Sequence, residues 1–316
     1  IEWYRNYRNK FTTHAACATE APIDEEDAFR NSGRLVFNPY SIDDMQAMYK
    51  QDPKFTADIV VNISVKDDNT IPNSKVKLRD DGEGDLKIWA VPNCLQVENR
   101  YLVSVDIGGK STTSDYTVMT VIDRFGMIPT VKGKPKVVAR YRGHVRHDKL
   151  AWMAAALAHY YDDALLVIES NTADREKNNN TEGDHFLTIL QEIADYYDNL
   201  YQRTSSSENV EDNVLAKYGF QTNKLTKQQV IDNLEEFIDD NLYEEPDKEM
   251  YHELRIYERH DDGSLGNIVG NGNHDDVVMS TGIGLFVSLT DMEKPSWKKA
   301  ERRSRGGDGV HTAAKI

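Results

Sequence analysis

Two apolar segments that each end in a carboxylate constrain the fold more than any other feature of this sequence. Residues 101–109 read YLVSVDIGG, and residues 164–171 read ALLVIESN. An almost wholly apolar run of strand length is typical of a strand that is covered on both faces of a sheet. The sequence therefore predicts that Asp106 and Glu169 lie at the carboxyl ends of two buried strands.

Further patterns around these two strands indicate a mixed α/β domain. Strands are predicted at residues 86–92, 116–124, 136–144 and 253–259, and helices at residues 21–29, 41–49, 148–161, 183–197, 226–242 and from about 274 onwards. We expect Ser41 to cap the second of these helices. Three strands, a helix and then a parallel strand are the order expected of a mixed sheet with helices packed against it.

The charge balance argues against a protein that binds nucleic acid through bulk positive charge. The 316 residues carry a net charge of -15, from 38 basic and 53 acidic residues, whereas phosphate neutralisation requires clustered Lys and Arg. The acidic stretch 232–262 predicts a solvated helix face. The basic stretch 294–305 predicts either a DNA contact or a disordered end.

Cysteine usage and hydropathy restrict the compartment. The two cysteines, Cys17 and Cys94, form neither a disulfide framework nor a four-cysteine zinc site, so we expect a reducing compartment. No apolar run approaches the ~20 residues of a membrane span, and the sequence shows no basic region followed by an apolar one as in a secretory leader. We therefore expect a protein that is not secreted and has no membrane partner, and a sequence that is cut from a longer chain.

A third acidic position completes a candidate site. Asp275 and Asp276 lie in GNGNHDDVV at residues 270–278, a loop that leads into an apolar helix. Sites of open α/β sheets lie outside the carboxyl ends of the strands, and carboxylates brought together there repel unless a cation compensates them. Mg²⁺ or Mn²⁺, which prefers oxygen ligands, is the natural cation.

Each of these acids also has a simpler explanation. An Asp after a strand is often a turn residue, and the sequence His-Asp-Asp before a helix is also a charged amino-terminal cap. A Glu on an apolar strand is harder to explain, because burying it is costly unless it is paired or binds a metal. The three positions in this order, together with their strands, favour a metal site.

The order of the motifs VSVDIGG, LLVIESN and GNGNHDDVV resembles the nuclease domain of the large terminase subunit of tailed bacteriophages. That domain has a ribonuclease-H-like fold, a mixed sheet flanked by helices. Residues 20–37 resemble the segment that leaves the ATPase motor in this family, and residues 217–234 resemble the segment ahead of the last acidic motif. The resemblance covers roughly residues 20–290.

The resemblance implies three parts and a function. Residues 1–98 are a mostly irregular extension after an absent ATPase motor, residues 99–290 are the nuclease domain, and residues 291–316 are a basic tail. The implied activity is endonucleolytic cutting of concatemeric viral double-stranded DNA during genome packaging, in the cytoplasm of a bacterial host. The implied partners are double-stranded DNA, the terminase motor domain, the small terminase subunit and the portal.

The resemblance also implies the ligands of two divalent metal ions, Mg²⁺ or Mn²⁺. Asp106 and Glu169 are carried over as the first two ligands, and one of Asp275 and Asp276 as the third. The implied mechanism is two-metal phosphodiester hydrolysis.

Four further residues have two interpretations each. Asp115 either joins the metal site or caps the second strand, and His274 is either a polar residue beside the site or a cap of the last helix. Asn171 and Lys227 either contact DNA or support a carboxylate. The sequence leaves these alternatives open.

Two other classes of protein compete with the nuclease. The sequence GGKS at 108–111 imitates the end of a P-loop, but Ser104 stands where that motif requires Gly. In an actin-like or sugar-kinase-like ATPase, Asp106, Gly108 and Gly109 would form a phosphate hairpin, although no second such hairpin follows. The non-enzymatic alternative is an interaction domain whose acids are merely solvated.

Overall fold

The structure is a computed structural model that describes most of the chain. The described residues are 2–11, 17, 20–21, 34–61, 76–108, 115–170, 189, 192–194, 196–203, 218–268, 270 and 272–298. The predicted helix at 21–29 and much of that at 183–197 lie outside them, as do Asn171 and most of the basic stretch.

The described elements form one large mixed sheet with helices against it. In chain order they are α1 (Glu2–Arg8), α2 (Pro39–Tyr49), β1 (Phe55–Val61), β2 (Val76–Asp80), β3 (Leu86–Ile88), β4 (Val97–Glu98), β5 (Tyr101–Asp106), β6 (Thr117–Asp123), a 3-10 turn (Phe125–Met127), β7 (Lys136–Gly143), α3 (His147–Tyr160), β8 (Leu165–Ile168), α4 (Lys224–Asp239), α5 (Lys248–Arg255), β9 (Tyr257–Arg259), β10 (Leu265–Asn267), α6 (Asp276–Thr290) and β11 (Ser296–Trp297).

The strand order of the sheet is β2-β1-β3-β7-β6-β5-β8. Strands β5, β6 and β7 form an antiparallel meander, and β8 returns through α3 to lie parallel to β5. Three antiparallel strands followed by a parallel strand beside the first are the arrangement of the ribonuclease-H-like fold. The predicted fold class is therefore confirmed.

The sheet is buried on both faces around β5. Val103 and Val105 point into the core that contains Leu150 and Leu157 of α3. Leu102, on the opposite face, belongs to the core that contains the apolar residues of α4 and α6. Successive residues of a strand point to opposite faces, so a strand between two cores is apolar throughout. This double cover explains why residues 101–105 contain almost no polar side chain.

Helix α6 packs unusually close to the sheet, and polar contacts fix its position. A Cβ atom at Gly284 would lie 2.8 Å from Ile122 Cδ1 and 3.1 Å from Ser104 Cβ. The hydroxyl of Ser280 donates to the backbone oxygen of Ser104 at 3.0 Å. Because Ser104 lies two residues before Asp106, this contact sets the start of α6 relative to the end of β5.

Two element predictions are wrong in part. Helix α2 begins at Pro39 rather than Ser41, because Asn38 is the cap: its side-chain oxygen accepts from Tyr40 N at 3.0 Å. The stretch 253–259 is not one strand, because α5 extends to Arg255 and only Tyr257–Arg259 is extended. The side chain of Asp247 caps this helix by accepting from Glu249 N.

The predicted solvated face at 232–262 is wrong for three acids. Glu245, Asp247 and Glu253 are each at most 2% exposed. Arg140 of β7 donates to Glu245 Oε1 and Oε2 at 3.0 Å and to Asp247 Oδ2 at 3.2 Å. These acids stay buried because a buried guanidinium compensates two of them and backbone amides bind the third.

The sheet extends beyond the predicted nuclease part of the chain. Strands β1, β2 and β3 come from residues 1–98 and pair into the same sheet, with β3 against β7. Strand β11 pairs with β4, so residues 296–297 contact the fold although they were assigned to the tail. The division at residues 98 and 290 stays a prediction. Strands of the large sheet lie before residue 98, and β11 lies after residue 290.

None of the helices in the described ranges combines the length and apolar character of a membrane span.

Candidate functional site

A cleft of about 360 Å³ opens where β5, β8 and α6 meet. Its lining includes five carboxylates, which are those of Asp106, Asp115, Glu169, Asp275 and Asp276, and two lysines, Lys224 and Lys227. The structure thus brings together the four acids predicted as ligands, which lie up to 170 positions apart in the sequence.

The parallel register of β5 and β8 places Asp106 beside Glu169. Val105 is the partner of Ile168, so the next residue on each strand is an acid at the carboxyl end of the sheet. The backbone amide of Glu169 donates to Val105 O at 2.9 Å, which continues the pairing to the end. Burial, then the charge of Glu169 and a hydrogen bond to it, raise the pKa of Asp106 well above its ordinary value. Without a cation, burial and the neighbouring charge of Glu169 therefore favour the protonated form of Asp106.

Asp276 enters the cleft from the first turn of α6. Its side chain is buried, and Oδ2 accepts from the backbone N–H of Tyr116 at 2.9 Å. Burial, with the charges of Asp115 and Asp275 and against the effect of that hydrogen bond, raises the pKa of Asp276 to about 7. Asp276 also contributes to the raised pKa of Asp106. The two carboxylates therefore compete for compensating charge.

Asp275 has different surroundings from its neighbour. It precedes α6 without making a side-chain cap, and its Oδ2 lies 3.3 Å from Lys227 Nζ of α4. Its side chain is 30% exposed. The charge of Asp275 is thus compensated by a lysine, whereas that of Asp276 is not.

The start of α6 is capped from a distant element. Glu253 Oε2 accepts from Val277 N at 2.8 Å and from Val278 N at 3.1 Å. Of the two interpretations of His274, the geometry does not support the helix cap, because Glu253 rather than His274 accepts from these first-turn amides. Sequence reasoning missed Glu253, since it had been assigned to a strand; the apolar spacing of Met250, Tyr251 and Leu254 is the signal that indicates a helix there.

Asp115 and His274 lie next to Asp276. His274 Nδ1 is 3.5 Å from Asp115 Oδ1 and 3.8 Å from Asp276 Oδ2. One potential ligand atom from each of the three residues lies within 4.8 Å of the others. Asp115 is therefore part of the cleft rather than only a strand cap. Of the remaining candidates, Lys227 contacts Asp275 as described, and Asn171 lies outside the described residues.

The donor set fits a divalent cation that prefers oxygen. Carboxylates are the ligands that Mg²⁺ and Mn²⁺ take in proteins, and a single imidazole is compatible with Mn²⁺. The raised pKa values of Asp106 and Asp276 indicate that the described residues around them compensate their negative charges only in part. A cation between β5, β8 and α6 would remove this repulsion.

Solved terminase nucleases have a similar fold. The large terminase nuclease of the thermophilic phage G20c with bound magnesium is 16% identical and has a TM-score of 0.48, over 80% of this chain and 97% of that one. The Thermus phage P74-26 large terminase nuclease domain is 21% identical with a TM-score of 0.42, over 66% and 87%. The human cytomegalovirus terminase nuclease domain, soaked with manganese, is 7% identical with a TM-score of 0.37, over 61% and 84%.

The likeness to these structures concerns the fold alone. Other structures of the G20c nuclease hold cobalt or zinc. No protein-family model and no curated protein matches this sequence. The resemblance expected from the three acidic motifs is thus found again among solved structures, and the chemistry of this chain rests on its own residues.

Proposed function

We propose that this chain is a metal-dependent endonuclease that cuts concatemeric viral double-stranded DNA during genome packaging, by phosphodiester hydrolysis with two divalent ions. The observation that carries the proposal is the cleft in which Asp106, Glu169 and Asp276 lie together with two further carboxylates. The order of the acidic motifs along the sequence supports the terminase assignment.

The residues of the cleft have different roles in this proposal. Asp106, Glu169 and Asp276 would hold Mg²⁺ or Mn²⁺, with Asp115 and His274 beside them. When bound, such ions activate a water molecule and stabilise the charge of the leaving oxygen. The backbone amide of Tyr116 orients Asp276, and Lys227 orients Asp275. Because a site of this kind acts on backbone phosphates rather than base edges, we expect little base preference.

The partners follow from the charge of the chain. A net charge of -15 opposes close approach to DNA. We therefore propose that the terminase motor domain, the small terminase subunit and the portal hold the double-stranded DNA near the cleft. The expected location is the cytoplasm of a bacterial host.

A plasmid assay tests the activity. The protein should nick or cut supercoiled plasmid in Mn²⁺ and stop when EDTA removes the ion. Asp106→Asn, which keeps the volume but removes the charge, should lose activity by orders of magnitude. Asp80→Asn is the matched control, because Asp80 also ends a strand but is exposed and outside the cleft. Undiminished cutting in EDTA would rule out metal-dependent hydrolysis.

The alternative classes make different predictions. An actin-like or sugar-kinase-like ATPase that uses Asp106 and Gly108 should melt at a higher temperature with ATP, since a ligand that binds only the folded state stabilises it. A non-enzymatic acidic domain should show no stabilisation by Mn²⁺. The nuclease should respond to Mn²⁺ and not to ATP.

A further inference from the structure

The wall of the cleft formed by Thr222 and the first turn of α4 contributes to the carboxylate site only through Lys227, which contacts Asp275. Four residues of the segment 222–227 line the cleft, and none of them is an acid. They are Thr222, Asn223, Lys224 and Lys227. The backbone here is anchored to β8, because Phe220 N donates to Ile168 O at 2.8 Å and Ser170 N donates to Phe220 O at 2.9 Å. This pairing places Phe220 opposite Glu169, and Thr222 follows two residues later at the same end of β8.

The amino end of α4 is electropositive and points at the cleft. The helix has 16 residues, so its aligned peptide dipoles place partial positive charge at this end. Asn223 and Thr226 form a reciprocal cap that holds the first turn in place. Lys224, the first helical residue, is exposed and forms no ion pair with any described residue, whereas Lys227 already pairs with Asp275. Because Asn223 Oδ1 already accepts from Leu225 N and Thr226 N, this end favours an anion through its dipole and Lys224 rather than through those amides.

Thr222 supplies an independent indication of a ligand. Its side chain is 6% exposed, and its hydroxyl has no hydrogen-bond partner among the described residues. A buried hydroxyl without a partner costs roughly 1–3 kcal/mol. Thr222 lines the cleft, so an acceptor atom that reached its hydroxyl from there would recover this hydrogen bond.

We infer that Thr222, Lys224 and the amino end of α4 bind a backbone phosphate of the nucleic-acid strand that enters the cleft. The inference rests on the proposed nuclease function, because it assigns the phosphate to the same strand that meets the carboxylates. The hydroxyl of Thr222 can donate to an oxygen acceptor, and Lys224 and the helix end attract negative charge. Each phosphate of a polynucleotide offers both. The five carboxylates repel a small free anion, which has only one contact to oppose that repulsion. A nucleic-acid strand is also held at its other phosphates, so its binding does not depend on this contact alone.

Binding of a short fluorescein-labelled DNA duplex, measured over a salt series with Ca²⁺ in place of Mn²⁺, tests the assignment. Lys224→Gln should weaken binding several-fold and lower the slope of log affinity against log salt by about 0.9, the value for one lost phosphate contact. Thr222→Val should weaken binding without changing the slope, because it removes a neutral donor. Both variants should keep the melting shift caused by Mn²⁺.

Lys248→Gln is the matched control. Lys248 is also the first residue of a helix and is also exposed, but it lies outside the cleft. Its substitution should leave the affinity and the slope as in the parent. Since Lys224 is exposed, Lys224→Gln should fold normally even if Thr222→Val does not.

The outcomes separate this inference from the proposed function. If the parent cuts plasmid DNA and Lys224→Gln binds the duplex with unchanged affinity and slope, the phosphate site is wrong and the nuclease stands. If the duplex binds through Lys224 but Mn²⁺ gives no cutting, the nuclease is wrong and the phosphate site stands. A parent that neither binds nor cuts contradicts both.

Discussion

At the residue scale, two adjacent aspartates have opposite electrostatic surroundings. Asp275 is half-buried and lies 3.3 Å from the ammonium of Lys227. Asp276 is buried, accepts one backbone hydrogen bond, and has its pKa raised to about 7 by burial. Neighbouring residues of a helix differ in direction by roughly 100°, so one residue step separates a compensated carboxylate from an uncompensated one.

Substitution of each aspartate should separate their contributions. Asp276→Asn should abolish cutting and the Mn²⁺-induced rise in melting temperature, because it removes a charge that a cation requires. Asp275→Asn should reduce cutting less, by about 10–100-fold, as expected for a group beside the ligands. Plasmid cleavage and thermal melting with and without Mn²⁺ measure both. Equal losses in the two variants would contradict the assignment.

The raised pKa of Asp276 predicts a pH dependence of stability in EDTA. A carboxyl group whose folded pKa exceeds its unfolded value of about 4 binds more protons in the folded state. Its contribution is therefore fully present below pH 4 and is lost as the pH rises through about 7. Stability should fall on the order of 2 kcal/mol between pH 5 and pH 8 on this account.

Urea denaturation of the parent and of Asp276→Asn measures this dependence. Because asparagine mimics the protonated carboxyl, the variant should approach the stability of the parent below pH 4 and exceed it increasingly up to pH 8. The difference between the two proteins cancels the other titrating groups. A variant that is less stable than the parent at pH 8 would show that Asp276 is a structural hydrogen-bond acceptor instead.

At the element scale, the sequence predicted strands better than caps. Strand β5 is apolar at almost every position because two cores cover it, and such a run can be recognised from the sequence alone. The ends of α2 and α6 were assigned to nearby polar residues, whereas Asn38 and the distant Glu253 bind the amides. A cap supplied by another helix leaves no local pattern in the sequence, so spacing alone does not reveal it.

The cap from Glu253 makes the position of α6 testable. Glu253→Ala should lower the free energy of unfolding by roughly 1–3 kcal/mol, because two buried amides of Val277 and Val278 lose their acceptor. Burial raises the pKa of Glu253 well above its ordinary value, so the neutral Glu253→Gln should cost much less. Denaturation in EDTA measures both changes.

The same two variants test whether the cap from Glu253 also positions Asp276 in the cleft. Displacement of the first turn of α6 moves Asp276, so Glu253→Ala should also reduce the melting shift caused by Mn²⁺, and Glu253→Gln should preserve it. A large loss of stability in Glu253→Ala with an unchanged Mn²⁺ shift would mean that the cap stabilises the helix without positioning the carboxylate.

At the scale of the whole molecule, buried charges connect elements that the sequence had separated. Arg140 of β7 contacts Glu245 and Asp247 ahead of α5, and donates to Thr281 of α6 at 2.8 Å. The acidic composition of 232–262 was visible in the sequence, but its buried partner lies about a hundred positions earlier. Composition therefore predicted a solvated face where the fold has an ion network.

A truncation that removes most of the basic stretch without destabilising the fold should end after Lys298, because the fold also uses residues between Asp291 and Lys298. Arg124 is buried and donates to Glu293 O at 3.0 Å, and β11 pairs with β4. Deletion of residues 299–316 should therefore leave the melting temperature unchanged, while deletion from 292 onwards should lower it. If the basic stretch contacts DNA, the shorter deletion should also flatten the salt dependence of binding. An unchanged slope would favour the disordered end.

The wide sequence separation of the site residues has a consequence during synthesis. At roughly 5–20 residues per second, Asp276 leaves the ribosome on the order of ten seconds after Asp106. Until α6 has emerged and packed between Ser104 and Thr120, to which Ser280 bonds, the carboxylate cleft is incomplete. The order of the motifs along the chain thus delays completion of the carboxylate cleft until the last helix docks, and under the proposed function a nascent chain should not cut DNA before that point.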